Sequence, residues 1–345
     1  MEVKLSSEQE AFAKSSVKLA AELGSAWDQG RGPADVMAPL SSADVWQRVV
    51  DAGWLAVRVD ESAGGGGGEC MDVCVLVEQL GRHSLSVPVI GAIIALEQLQ
   101  LNGAPDELLA SIISGERRVA PLFTADLRDF ATATEDAIAV DAAGADTAFV
   151  LGERPGEVTL GPSEPTGDLT RSAARPVGDV RPLDFAPRTD EIRQRELAYT
   201  LTVLSADLLG LMATALDQSV SHARIREQFG HPIGSFQAVA HLLAEAHVSL
   251  EATRSAVWYA AWGVDHLDPA EALHAARTAK AFASARGVEV VEAAIQTFGG
   301  LGMTWESRAH VWQRRTHLDR RLLGDEFAQY SALSTIDRRH HGLHR

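Results

Sequence analysis

Cysteine is nearly absent from this 345-residue chain, which has only Cys70 and Cys74, four positions apart in an apolar helical pattern. Two thiols do not complete a metal site and buried thiols are common, so the pair reads as core and no metal or redox centre is expected. Basic residues are scarce as well. Lys and Arg number 31 against 47 Asp and Glu, a formal net charge of -16. That balance argues against nucleic acid or an anionic membrane as the main partner, though it allows a local basic pocket for a phosphate-bearing ligand. Long apolar runs are also missing: Val87 to Leu96 is broken by Pro88 and Gly91, and no bilayer span is expected. The start, Met1-Glu2-Val3-Lys4-Leu5, lacks a charged segment followed by an apolar one, so no signal peptide and a cytoplasmic location are expected.

What the chain does have is ordinary hydrophobic content, 46%, and enough length for one multi-lobed unit or two to three domains. The first third reads as helices. Ser6-Ser7-Glu8-Gln9 offers a capped start, and Asp44 to Trp54 is a second helical stretch ending near Gly53. The glycine run Gly64 to Gly68 reads as a flexible connector before an apolar helix, Met71 to Leu80. Helical patterns continue through 90–101 and 106–114. After Arg118 the texture turns to short β-like runs (137–140, 147–151, 157–160) punctuated by Gly, Pro and Asp, which predicts a small antiparallel module. From Thr189 four long helical patterns follow, at about 190–229, 236–265, 269–298 and 306–335, suited to an antiparallel bundle. The expected fold class is α+β and mostly α. Its boundaries are an N-terminal helical domain 1–118, a shortened middle β-domain 119–188 and a C-terminal four-helix bundle 189–345. There is no internal repeat and no low-complexity segment beyond the His- and Arg-rich end, Arg338 to Arg345.

Two corners of the bundle carry chemistry. A helix is expected to end at Phe229-Gly230, stopped by Pro232, and the next to open near Ser235 as N-cap, so Arg226 and Gln237 flank one turn. An arginine there can fork onto phosphate oxygens, a helix N-terminus adds donors, and Phe229 offers a flat face to a ring. Taken alone, the corner reads equally as a capped turn with an exposed arginine. At Gln296-Thr297-Phe298-Gly299-Gly300 a second helix stops at glycines, which either cap it or let a ligand approach the backbone. The order is helix then glycine, so this is no dinucleotide fingerprint.

Together these corners, with Leu243-Ala244-Glu245, Ala279-Lys280-Ala281 and a Trp46 to Gly68 segment, resemble the acyl-CoA dehydrogenase family over nearly the whole chain. The resemblance implies helical, β and helical parts in that order, and FAD as cofactor. It further implies that Arg226, Phe229, Gln237, Gln296, Gly299 and Gly300 clamp the ADP part of FAD seated in a neighbouring subunit. Acyl-CoA dehydrogenation removes an α-proton while the β-hydride passes to flavin, and so needs a carboxylate base. The family's two positions for that base are occupied here by Thr200 and Leu323. Glu196, Asp207 and Asp325 lie near them in sequence. Asp207, in an apolar stretch, reads first as a bundle-internal hydrogen bond or an interface pair. The family's flavin-gripping loop, with its glycine-serine turn, has no counterpart in Val119 to Arg128.

The combination resembles the non-catalytic subunit of α2β2 acyl-CoA dehydrogenases of actinobacterial steroid side-chain breakdown. That implies a catalytic partner subunit, an acyl-CoA substrate and an electron-transfer flavoprotein. Two other readings stay open: a self-sufficient homo-oligomeric enzyme with a relocated base, and a flavin-free structural or regulatory homologue.

Overall fold

The computed structural model describes residues 4–24, 42–185 and 188–340; the first three residues and the His- and Arg-rich end from 341 lie outside the described residues. Among the described residues five α-helices come first: α1 (Ser7–Gly24), α2 (Ala43–Asp51), α3 (Cys70–Arg82), α4 (Val89–Leu101) and α5 (Asp106–Ile113). The α1 start is a reciprocal cap, with Gln9 N–H donating to Ser6 Oγ at 3.1 Å and Ser6 N–H to Gln9 Oε1 at 3.0 Å. Ser42 Oγ caps α2, which stops just before Gly53 at φ +70°.

The glycine run is no flexible connector. The amides of Gly64 to Gly68 donate in turn to the carbonyls of Glu61, Asp60, Ala56, Val59 and Val57. A Cβ on Gly65 would stand 1.9 Å from the Val59 carbonyl oxygen, and one on Gly68 2.7 Å from that of Val57. The run is a backbone pad pressed against the preceding loop. Glycine is used here because no side chain fits between the two backbones.

Two small sheets follow, antiparallel throughout as the sequence predicts. One runs β1 (Leu122–Thr124), β2 (Ala137–Val140), β6 (Ser172–Ala174), β5 (Glu164–Pro165); the other runs β3 (Thr147–Val150), β4 (Gly156–Leu160), β7 (Pro176–Pro182). Alanine and valine fill the space between them, while Phe123, Phe130 and Phe149 turn into the main core.

The bundle is built from α6 (Asp190–Ile225), α7 (Gln237–His266), α8 (Pro269–Phe298), α9 (Ala309–Arg321) and α10 (Glu326–His340). Contrary to the sequence expectation, α6 is long and apolar enough to cross a membrane, with a window of mean hydropathy 1.5. That window is 94% buried, because α6 is the central helix and packs against α3, α7 and α8. Its approach to α3 is close: a Cβ on Gly210 would lie 2.2 Å from the Glu78 carbonyl oxygen. The helix expected over 306–335 is two helices. The chain breaks at Leu323 and Gly324, with φ of 58° and 89°, and Lys280 Nζ donates to the Arg320 and Gly324 carbonyls at 3.0 and 3.2 Å. A buried lysine bonding the exposed carbonyls of α9 offsets the loss of its continuing helical bonds.

Substituting Gly65→Ala should destabilise the fold by about 1–3 kcal/mol, since neither backbone can give way. Chemical denaturation of the two proteins measures it, and an unchanged midpoint would return the run to a flexible connector.

Candidate functional site

The first corner differs from its sequence reading in detail. Helix α6 ends at Ile225, four residues before Phe229, and Arg226 is its C-cap. A hairpin then pairs Glu227 with Pro232 and Gln228 with His231. Its two-residue turn, Phe229 at φ 54° and Gly230 at φ 79°, has the doubly positive geometry that suits strand twist. Ser235 does not cap α7. Its hydroxyl donates to the Pro232 carbonyl at 2.7 Å inside a 3-10 turn, and Phe236 takes the cap position without a side-chain acceptor. Phe229 is 91% exposed, with its ring edge-on to Phe236 at 6.2 Å.

At the second corner α8 ends at Phe298, and Gly299 turns the chain at φ 60°. A Cβ on Gly299 or Gly300 would meet nothing within 4 Å, so the backbone there faces open space. The Phe298 ring lies 4.8 Å from the His222 imidazole, one turn before Arg226, and this contact brings both corners to one end of the bundle. Burial, then the Arg226 charge, lowers the His222 pKa below its usual value, so that imidazole is neutral at pH 7. Arg226, Gln237 and Gln296 are exposed and make no side-chain hydrogen bond or ion pair among the described residues. A free guanidinium, two free amides, bare glycine backbone and a flat ring at one end suit an anionic group with an aromatic system, presented from outside the chain.

Both residues expected from the sequence at the base positions are buried. Thr200 is fully buried on α6 and its hydroxyl has no hydrogen-bond partner. Leu323 is buried too, and its N–H donates to the Leu127 carbonyl at 2.7 Å. Leu127 belongs to the Val119 to Arg128 segment and is itself left-handed, at φ 61°. Gln329 Nε2 holds the Leu323 carbonyl at 2.6 Å. Phe123, Phe130, Leu197, Leu201, Leu322 and Leu323 fill the space between β module, α6 and the α9–α10 turn as part of one apolar core. A small cavity beside Arg58, Glu97 and Tyr199 measures about 10 Å³, room for one water.

The spare carboxylates are all engaged. Glu196 is enclosed, accepting from Asn102 Nδ2 at 2.5 Å and Arg188 Nη1 at 2.9 Å. Burial raises its pKa, with the Arg188 charge opposing. Asp325 caps α10, accepting from the Ala328 N–H at 3.1 Å. Asp207 accepts from Arg171 Nη2 at 2.7 Å and from Arg315 Nε and Nη2 at 2.8 and 3.0 Å. Burial alone would raise the Asp207 pKa, but the Arg315 and Arg171 charges outweigh it and hold the carboxyl below its usual range. It is a structural anion between two guanidiniums, as its burial in an apolar stretch suggests.

Residues 6–116 match the family profile described as acyl-CoA dehydrogenase, N-terminal domain, and residues 192–332 match that of the C-terminal domain. The chain belongs to the acyl-CoA dehydrogenase family. Acyl-CoA dehydrogenase FadE34 of Mycobacterium tuberculosis is 32% identical over 300 residues, covering 80% of this chain and 40% of that protein. The chain thus spans about two-fifths of that relative's length. Among solved structures, one described as the Tcur3481-Tcur3483 steroid ACAD G363A variant superposes with a TM-score of 0.83 at 24% identity, over 97% of this chain and 99% of that one. The ChsE4-ChsE5 complex from Mycobacterium tuberculosis gives 0.81 at 20%, over 97% and 98%. These likenesses place the acyl-CoA dehydrogenase fold over almost the full chain.

Sequence reasoning missed Leu127, Arg171, Arg315 and Asp319. The spacing of Arg315 and Asp319, one helical turn apart, is a weak signal for a charged seam. Nothing local marks Arg171, in the polar stretch Thr170-Arg171-Ser172, as buried.

Removing the Asp207 carboxylate with Asp207→Ala should cost about 3–5 kcal/mol, because two buried guanidiniums lose the three charge-assisted hydrogen bonds it accepts. Urea denaturation reads the loss. A stable variant that lacks only activity would instead make Asp207 a catalytic base.

Proposed function

We propose that this chain is the non-catalytic subunit of a hetero-oligomeric, FAD-dependent acyl-CoA dehydrogenase that desaturates an acyl-CoA thioester, with steroid side-chain thioesters as the substrate class. The observation that carries the reading is the Leu323 to Leu127 hydrogen bond. It joins the family's base loop to the segment standing where the family grips its flavin, with a packed core beneath. The six clamp residues face the other way: Arg226, Phe229, Gln237, Gln296, Gly299 and Gly300 are exposed at one end of the bundle.

In this reading FAD, when bound in the partner, supplies the hydride acceptor for α,β-desaturation and passes electrons on to an electron-transfer flavoprotein. The work of this chain is binding. Arg226 would hold the pyrophosphate, the Gly299-Gly300 backbone would let it approach, and Phe229 would offer its face to the nucleotide. The partner supplies the carboxylate and the acyl pocket. Two features support the pairing: one neighbouring fold is described as a complex of two named chains, and FadE34 has about three-fifths of its length beyond the matched region, enough for a second unit of this size. The three domains of the sequence reading, 1–118, 119–188 and 189–345, are retained in the proposal as an N-terminal platform, a fastened β module and the clamp-bearing bundle.

Expression of the chain alone and together with the product of its genomic neighbour, followed by measurement of bound flavin and acyl-CoA-dependent bleaching, separates the readings. Colourless protein alone and yellow, bleachable protein together are expected. A yellow, active lone chain would establish the self-sufficient enzyme, and no flavin in either preparation would favour the flavin-free homologue. In the complex, Arg226→Ala should weaken FAD retention by about 1.5–3 kcal/mol through loss of a charge-assisted bond. Gly300→Ala, in open space, should leave thermal stability within about 0.5 kcal/mol of wild type while lowering FAD retention. Full retention in both variants would rule out the clamp.

A further inference from the structure

Where the β module meets the bundle, six side chains form one buried ionic cluster. Asp141, Asp168 and Arg171 come from the module, Asp207 from α6, and Arg315 and Asp319 from α9; each is 5% exposed or less. Four carboxylates against two guanidiniums leave two negative charges in excess if every group is ionised. Lys280 faces Asp319 from α8, but its Nζ is already bonded to Ser284 Oγ and to the Arg320 and Gly324 carbonyls at 3.1, 3.0 and 3.2 Å. Burial pushes that lysine down to about 7, so it offers at most a partial compensating charge at neutral pH. Uncompensated charge in such surroundings is removed by protonation.

The hydrogen bonds show where the proton goes. Asp207 accepts three guanidinium bonds. Asp141 accepts from the Gly91 N–H at 2.9 Å and from Arg171 Nη1 at 3.3 Å, and Asp168 Oδ1 from the Thr170 N–H and hydroxyl, both at 2.8 Å, while Asp168 Oδ2 has no partner. Asp319 accepts none. Arg171 Nη2 lies 3.0 Å from its Oδ1 but is bonded to Asp207, so neither Asp319 oxygen receives a bond from a donor group, and the Asp207 carboxylate is within hydrogen-bond reach of it.

We propose that Asp319 is a neutral carboxylic acid in the folded protein, sharing its proton with the Asp207 carboxylate, and that this proton makes the fastening of the β module to the bundle sensitive to pH. The charged and titratable groups around it are Arg171, Asp141 and Asp168 from the module, Asp207 from α6, Arg315 from its own helix and Lys280 from α8. Burial raises the Asp319 pKa well above the usual carboxylate range; the Arg171 charge opposes, the Asp207 charge adds to the rise, and Arg315 opposes again. Between the ordinary Asp range and this raised value the folded state holds a proton that the unfolded chain has released. Rising pH therefore weakens folding across that window, by a factor of about ten per pH unit, and has no further effect once the acid has ionised.

The test compares urea denaturation of the full-length protein with that of Asp319→Asn, which keeps the shape and donates a hydrogen bond without titrating. Measurements run from about pH 4.5 to about pH 6, where Lys280, at about 7, is still largely protonated. The wild-type folding constant, relative to the variant, should fall about tenfold per pH unit. Amide exchange in β1, β2 and β6 should accelerate with pH in the wild type and not in the variant. Parallel stability curves would overturn the proposal. If the variant does not fold, carbon-13 NMR of aspartate side chains in the wild type decides instead. A protonated-acid resonance at pH 6.5 that persists in Asp168→Asn supports the assignment, and its absence overturns it.

Discussion

Asp207 sits between two guanidiniums, and three parts of the chain meet at that point. Arg171 reaches it from the β module and Arg315 from α9, while α6 carries it through the centre of the bundle. Arg315 Nη1 also donates to the Leu85 carbonyl and the Thr170 hydroxyl, tying in the loop after α3. The close crossing of α3 and α6 depends on the same place, since a Cβ on Gly81 would lie 2.4 Å from the Asp207 carbonyl oxygen. Buried ion pairs of this kind stabilise little in net terms but make the loss of any one member severe. They select one arrangement of module and bundle by penalising every other.

That arrangement also closes the interior. Two leucines, Leu127 and Leu323, adopt left-handed backbone conformations that cost roughly 1–2 kcal/mol each, and they meet through one hydrogen bond. Gln329 and Lys280 hold the second leucine's turn from opposite sides, with Arg277 Nη1 orienting Gln329 at 2.6 Å. Strain is usually retained where the surroundings over-determine it. Here the surroundings are a filled core, so the conformation preserves a closure.

Much of this was legible in the sequence, for physical reasons. Helices with long, uninterrupted periodicity were read in place, and alternating short runs between Gly and Pro gave the antiparallel module. Both corners were found because glycine, proline and arginine have few reasons to cluster at helix ends. Asp207 was marked as paired because a carboxylate among leucines needs a partner. Its partners were not legible, since Arg171 is brought in by tertiary packing across 36 positions. The glycine run was misread because local composition signals freedom, while close approach of a second backbone removes it. The break at Leu323-Gly324 was missed because leucine at positive φ contradicts its own propensity, and the lysine that stabilises the turn lies 44 residues away. The hairpin at Phe229-Gly230 was hidden by the helical pattern running into it.

The outward-facing glycines of the second corner have a consequence for assembly. Gly299 and Gly300 expose backbone into open space, while the positions read as the base lie in the apolar interior. On the proposed reading, the number of flavins in the assembly is then fixed by the number of partner chains, and an equal mixture carries one flavin for every two polypeptides.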